Sequence, residues 1–280
     1  MLTAFAPAKI NLCLHVTGRR TDGYHLLDSL VSFAGVGDTL TAAHHDTLTL
    51  EIGGRFGAAL SATQDNLVWR AAETLARRLD RPAGAALRLD KSLPIASGIG
   101  GGSADAAAAL RLLCDLWTVP DTLRADLPEI ALGLGADVPA CLASVATRMR
   151  GIGDELDPVT LPGFGLMLVN PGRSVSTRDV FDAWHRSGEP GSGPLTVPVF
   201  ETATTLAHWL RAQANDLQMP ALQICPEIGE VLQALEQTAR CLIARMSGSG
   251  ATCFALYPTT TDAARAAASL SPHPWWCWGG

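Results

Sequence analysis

Apolar and polar residues alternate from Lys9 through Val16, which predicts a strand carrying Lys9, Asn11, Cys13 and His15 on one face and Ile10, Leu12 and Leu14 on the other. Residues 28–60 read as short strands separated by turns at Gly35-Val-Gly-Asp38 and Gly53-Gly54. The spacing of Leu67, Val68, Ala71, Ala72, Leu75 and Ala76 predicts a helix over residues 65–79, capped by Asp65 or Thr63, with Asn66 in its first turn. A second alternating stretch, residues 86–91, predicts a strand. It leads to Gly98, Gly100, Gly101 and Gly102, and then to an alanine- and leucine-rich run over 103–117. That run is a strong helix former, with Ser103 placed as its N-cap.

Residues 126–135 predict a helix ending on glycine, and Pro139 suits the first turn of the next one. Asp137 therefore lies in a tight Gly-Ala-Asp-Val-Pro bend, where it is either a capping aspartate or a carboxylate presented to a site. The texture loosens over 150–165, and the domain boundary is set there, giving segments 1–155 and 156–280. Beyond it the pattern predicts a buried strand running into a turn over 165–172 and a helix opened by Ser176-Thr177. A Gly/Ser/Pro-rich loop at 187–197 and helices over 201–212 and 226–238 follow. A Ser-Gly-Ser-Gly turn at 247–250 feeds an apolar strand, and the tryptophan-rich end forms a last one.

At 280 residues the chain exceeds what one core usually covers, so two domains or one large one are expected. A net charge of −6 and the lack of any Lys/Arg cluster argue against a nucleic-acid partner. No apolar run approaches the roughly 20 residues that span a bilayer. Near the start, proline and lysine stand where a signal peptide keeps an apolar core. A cytoplasmic protein, monomer or homodimer, with no membrane partner is expected. The seven cysteines are scattered singly, which fits reduced, packed thiols and not a disulfide frame or zinc site. His44-His45 reads as a solvated loop. Of 21 basic residues only Lys9 and Lys91 are lysines, and arginine is no faithful substitute for a compact ammonium group.

Strand, glycine-rich loop and helix N-terminus together make an anion site, because free N–H groups and the positive end of the helix dipole converge. No Gly-Lys pair exists, which excludes a Walker A loop, and Ser103 stands where the dinucleotide fingerprint needs glycine. Taken alone, the stretch is an anion-binding loop of another design or a tight loop before a buried helix. Tyr24 and His25 follow a glycine-containing turn, as a packed pair or as groups that stack on and hydrogen-bond a flat ligand.

Several stretches line up in one order. Ala6-Pro-Ala-Lys-Ile-Asn-Leu-Cys-Leu, Asp22-Gly-Tyr-His, Asp65-Asn-Leu-Val, the 94–104 loop, Gly135-Ala-Asp-Val-Pro, Asn215-Asp-Leu-Gln and Met246-Ser-Gly-Ser-Gly-Ala-Thr resemble the motifs of the GHMP kinases (galactokinase, homoserine, mevalonate and phosphomevalonate kinases). The likeness runs from residue 6 to beyond 250. It implies an α+β fold with two domains, an N-terminal one of the ribosomal S5 domain 2-like type and a ferredoxin-like C-terminal one. It also implies a soluble small-molecule kinase using ATP and Mg²⁺. Within the family the likeness is to the branch that phosphorylates the 2-hydroxyl of a cytidine diphosphate-linked polyol, 4-diphosphocytidyl-2-C-methyl-D-erythritol, on the non-mevalonate route to isoprenoids.

Carried over position by position, the resemblance makes Asp137 the catalytic base and Lys9 its cationic neighbour. Pro94, Ile95, Ala96, Ser97, Gly98, Ile99, Gly100, Gly101, Gly102, Ser103 and Ala104 become the ATP phosphate loop, with Asn66 near the adenine. Asn11, Tyr24, His25 and Thr177 fall on the substrate side. Ala104 departs from the family pattern, where many members carry a second serine, and leaves Ser103 as the hydroxyl for the metal. The chemistry agrees: a tertiary alcohol has a pKa far above 7 and needs a base aimed at it or strong charge stabilisation of the transferring group. The rival readings are a mevalonate- or homoserine-type kinase, or a non-catalytic nucleotide-binding module. Tyr24-His25 argues against the first, whose substrates carry no base to stack.

Overall fold

The structure is a computed structural model describing every residue except Asp22, Ser271 and Pro272. In chain order its first elements are β1 (Leu2–Arg19), β2 (His25–Ala43), β3 (Leu48–Gly53), α1 (Leu67–Arg78), β4 (Ala85–Asp90) and α2 (Gly101–Leu116). Then come α3 (Asp121–Arg124), α4 (Leu127–Leu134), α5 (Val138–Ala143), β5 (Thr147–Gly151), β6 (Glu155–Pro158), β7 (Gly165–Asn170) and α6 (Thr177–Ser187). The last are α7 (Ala203–Arg211), α8 (Gln218–Ile224), α9 (Glu227–Glu236), β8 (Ile243–Met246), β9 (Cys253–Tyr257), α10 (Thr260–Ser269) and β10 (Trp276–Gly279). Among the described residues, no helix is long and apolar enough to cross a membrane.

The chain folds into two compact units. One comprises Met1–Lys9, Gly35–Ile95 and Gly100–Ser144, the other Ile10–Ala34, Ala96–Ile99 and Val145–Gly280. Their borders cut β1, β2 and the glycine loop, while the loose 150–165 stretch lies inside the second unit. An extended backbone looks the same whichever core its side chains join, so composition does not mark such borders.

In the first unit β3 and β4 pair in parallel, Leu48 opposite Ala85 through Gly53 opposite Asp90, with α1 as the crossover. The other edge of β4 pairs antiparallel with residues 39–43 of β2. Helix α1 buries Val68, Ala71, Ala72, Leu75 and Ala76. Every α2 position from Ala104 to Leu110 is buried, as expected of a helix that is apolar all round. The predicted turn at 35–38 is absent, and β2 runs straight through it. Gly37 is there for close approach. A Cβ on it would strike the Ala6 carbonyl and the Phe5 ring, so glycine lets β1 lie against β2.

The second unit holds an antiparallel sheet in the order β10-β7-β9-β8. All six residues of β7 are buried. Met167 and Val169 join Cys253, Ala255 and Tyr257 of β9 and Ile228, Val231 and Leu235 of α9 in one core. The Tyr257 hydroxyl avoids an unpaired burial by sharing a hydrogen bond with Thr238 Oγ1 at 2.6 Å. In the same unit residues 27–31 of β2 pair with β5, and β5 with β6. The expected helices at 201–212 and 226–238 appear as α7 and α9; α8 between them was not anticipated.

Two glycine substitutions separate close approach from mere flexibility. Gly37→Ala should cost about 1–3 kcal/mol through overpacking. Gly133→Ala, in α4 with nothing within 4 Å of a new Cβ, should gain about 0.5–1 kcal/mol of helix propensity. Urea midpoints of the two variants give the comparison, and equal shifts would refute the account of Gly37.

Candidate active site

Within the first unit, Lys9 Nζ donates to Asp137 Oδ1 at 2.5 Å. The Lys9 side chain is 3% exposed and that of Asp137 37%. Asp137 occupies the N-cap position of α5, yet its side chain makes no capping bond. The carboxylate is committed to the ammonium instead, so the capping reading fails. Beside this pair stands Gly100, the true N-cap of α2, in the left-handed region at φ 61°. Ser103 is the third residue of the helix and not its cap, because the chain enters α2 through a turn that favours glycine. A Cβ at Gly100 would lie 3.1 Å from Lys9 Cβ and 3.3 Å from its Cε, so the glycine also leaves room for the lysine stem.

The next residue, Gly101, lies against the second lysine, with a new Cβ at 3.1 Å from Lys91 Nζ. Lys91 Nζ donates to Asp38 Oδ2 at 2.5 Å and to Asp105 Oδ2 at 2.6 Å, all three side chains being at most 4% exposed. Asp38 Oδ1 accepts from the Ser92 and Leu93 N–H groups, whereas Asp105 Oδ1 is buried without a partner. Burial lowers the affinity of Lys91 for its proton, but Asp105 and Asp38 outweigh it and raise the ammonium pKa. For Asp105, burial dominates over the opposing Lys91 and is reinforced by Asp38, pushing the carboxyl up to about 7. At the start of α1, Asn66 is the N-cap rather than a first-turn residue. Its Oδ1 accepts from Val68 N at 2.9 Å and its Nδ2 donates to Ser61 O at 3.2 Å. Leu67, next to it, lies 3.5 Å from where a Cβ on Gly102 would stand.

Within the second unit, three successive loop carbonyls are taken. Ala96 O accepts from Val175 N, Ser97 O from Thr252 N, and Gly98 O from Ser247 Oγ at 3.0 Å. In a trans peptide the following N–H points the opposite way, so the N–H groups of 97–99 are turned away from these partners. Gly98 has φ 74°, and a Cβ on it would collide with Ser247 O. Ser247 Oγ also accepts from Asn11 N at 3.1 Å, and Asn215 Nδ2 holds Met246 O and Gly248 O. Asn11 is buried, its Nδ2 donating to Ser29 Oγ at 2.8 Å. Thr177 Oγ1 meets Ser249 Oγ at 2.9 Å.

His25 stacks on Phe181 with centroids 4.5 Å apart and meets the edge of Trp184 at 5.6 Å. Its Nε2 is buried without a partner. Burial first, then Arg19 and His185, lower its pKa. Tyr24 is 59% exposed. Asp22, from the same quoted motif, lies outside the described residues.

Comparison with known proteins matches residues 66–144 to the GHMP kinases N terminal domain and residues 200–273 to the GHMP kinases C terminal domain. The chain is a GHMP kinase. It is 52% identical over 278 residues to 4-diphosphocytidyl-2-C-methyl-D-erythritol kinase of Paramagnetospirillum magneticum, covering 97% of this chain and 95% of that one. It is also 52% identical over 283 residues to the kinase of that name from Cereibacter sphaeroides, covering 99% and 97%. Among solved structures, 4-(cytidine 5'-diphospho)-2C-methyl-D-erythritol kinase superposes with a TM-score of 0.79 at 32% identity, covering 100% of this chain and 98% of that one. Homoserine kinase from Cytophaga hutchinsonii, at 19% identity and TM-score 0.68 over 100% and 93%, shares the fold.

In this GHMP kinase the structure adds residues that reading the sequence missed. Phe181 and Trp184, three apart on one face of α6, carried no signal until His25 was seen against them. Ser247 and Asn215 lay in recognised motifs without a role; their spacing showed a glycine turn but not which loop it holds. Among the described residues no group of three or more His, Cys, Asp or Glu side chains could hold a metal ion.

The raised Asp105 pKa carries a stability consequence. Between the ordinary aspartate value and about 7 the native state binds more protons than the unfolded chain, so stability falls as pH rises through that window. Asp105→Asn mimics the protonated acid and removes this contribution. Its urea midpoint should gain on wild type between about pH 4.5 and about pH 7.5. A constant difference across that range would contradict the assignment.

Proposed function

We propose that this chain transfers the γ-phosphoryl group of ATP to the 2-hydroxyl of 4-diphosphocytidyl-2-C-methyl-D-erythritol. The observation that carries the reaction type is the buried Lys9 ammonium on the partly exposed Asp137 carboxylate, beside the N-terminus of a 16-residue helix. The near full-length likeness to kinases of that name supports the substrate. Asp137 takes the hydroxyl proton, and Lys9 orients the carboxylate and offsets charge as the oxygen attacks. Residues 94–104 cradle the nucleotide phosphates through backbone N–H groups and the dipole of α2. We assign Asn66, whose side chain shapes the turn into α1, to the nucleotide side, supported by Leu67 Cδ1 lying 3.5 Å from where a Cβ on Gly102 would stand. Mg²⁺ bound with the nucleotide neutralises phosphate charge, and Ser103 is the hydroxyl that would hold it.

On the substrate side we assign Tyr24 and His25 to the cytosine, and Asn11 and Thr177 to the remainder of the molecule. A neutral imidazole with Nε2 unpartnered offers a hydrogen bond to a base edge, and Phe181 and Trp184 hold the ring that makes it. Segments 1–155 and 156–280 are the proposed N- and C-terminal kinase domains, in keeping with family matches on either side of that boundary.

The test is phosphate transfer from ATP to the cytidyl alcohol, with an analogue lacking the 2-hydroxyl as control; mevalonate or homoserine accepted in its place would overturn the substrate. Asp137→Ala and Lys9→Ala should each lose at least ~10²-fold in kcat. Near-wild-type turnover in purified Asp137→Ala would remove the base from the mechanism. His25→Phe keeps the ring stack and loses the hydrogen bond, so KM for the alcohol should rise roughly 3- to 10-fold with kcat little changed. An unaltered KM would place the cytosine elsewhere.

A further inference from the structure

Arg111 lies in the middle of α2 and takes no part in the mechanism above. Its Nη1 donates to Cys141 O at 2.9 Å and Leu142 O at 3.1 Å, and its Nη2 to Phe5 O at 3.2 Å. Burial pulls its pKa below the ordinary arginine value. Cys141 and Leu142 form the last turn of α5, where carbonyls have no backbone donor inside the helix, and Cys141 O also accepts from Ser144 Oγ at 2.5 Å. That helix has six residues, too few to be stable by itself. Asp137 sits one turn earlier, its backbone carbonyl accepting from Cys141 N at 3.1 Å. Phe5 precedes Lys9 by four residues on β1, about 13 Å of strand. One guanidinium therefore grips both elements that deliver the Lys9–Asp137 pair, and does so from the helix that begins at Gly100.

We propose that Arg111 is a positioning residue for phosphoryl transfer, setting the Lys9–Asp137 geometry by clamping the C-terminal end of α5 and the start of β1 to α2. The inference rests on the assignment of Lys9 and Asp137 made above. A planar fork spans two adjacent helix-end carbonyls and a third on the strand, whereas a lysine reaches one of these places at a time. A shift of about 1 Å in a reacting group costs on the order of 10²-fold in rate, so loosening a six-residue helix at its far end is felt at the chemistry.

The test combines steady-state kinetics with a double-mutant cycle. Arg111→Met should lower kcat by roughly 10-fold or more while both KM values stay within about 3-fold, and Arg111→Lys should recover part of the loss. In an Asp137→Asn background Arg111→Met should change the residual rate by less than about 2-fold, because the carboxylate it positions is gone. An equal loss in both backgrounds, or a KM effect with kcat intact, overturns the proposal and marks Arg111 as purely structural. Wild-type turnover in Asp137→Asn alone would instead remove the assignment beneath it. If thermal melts show that Arg111→Met does not fold, the same cycle is read from Arg111→Lys, and an equal loss in both backgrounds again overturns it.

Discussion

An ammonium group withdrawn from water is tolerated when a carboxylate meets it, and the first unit uses that constraint twice, under consecutive glycines. Gly100 lies against the Lys9 stem and Gly101 against Lys91 Nζ, so the first turn of α2 rests on both lysines. The two ion pairs differ in access. Asp38 and Asp105 are sealed around Lys91, whereas the Asp137 side chain is more than a third exposed. A closed pair holds structure, and breaking one costs far more than forming it contributes. An open pair keeps a carboxylate available for chemistry. Each place is filled by a compact ammonium group, for which the broader, planar guanidinium is no faithful substitute.

The glycine loop at residues 94–104 holds no Walker lysine. Its carbonyls at 96, 97 and 98 are each bound by a neighbour in the second unit, which orients the peptide planes before any ligand arrives. Preorganised N–H groups stabilise charge without a reorganisation cost at the moment of transfer. Ser247 extends the same device, accepting from the backbone of Asn11 while donating to Gly98. Strand β1 and the glycine loop are thus tied through one hydroxyl.

Substrate choice lies elsewhere. A homoserine kinase at 19% identity shares the fold, so the fold alone does not decide what is phosphorylated. On the proposed assignment, the features that distinguish the substrate are the aromatic surroundings of His25 and its unpartnered Nε2. Under that proposal, binding specificity and phosphoryl transfer rest on different residues.

Much of this protein was legible in its sequence. Periodicity marked α1, α2, β4 and β7, because burial on one face or on all faces leaves a repeat that needs no partner to be seen. The ordered motifs around Lys9, residues 94–104, Asp137 and residues 246–252 identified the family, since each requires residue types that backbone geometry or charge makes hard to replace. Tertiary structure decided the rest. Gly37 read as a turn because sequence cannot show that Ala6 lies against it, and Ser103 read as a cap because its side chain type suits one, whereas the chain enters α2 at the left-handed Gly100. Asp137 read as a capping aspartate or as a carboxylate presented to a site, and only the fold shows that Lys9, far away in the chain, holds it while it makes no capping bond. Contacts between distant segments leave no periodic trace, and Arg111, gripping Phe5, Cys141 and Leu142, acquires a role only once folding has brought those carbonyls together.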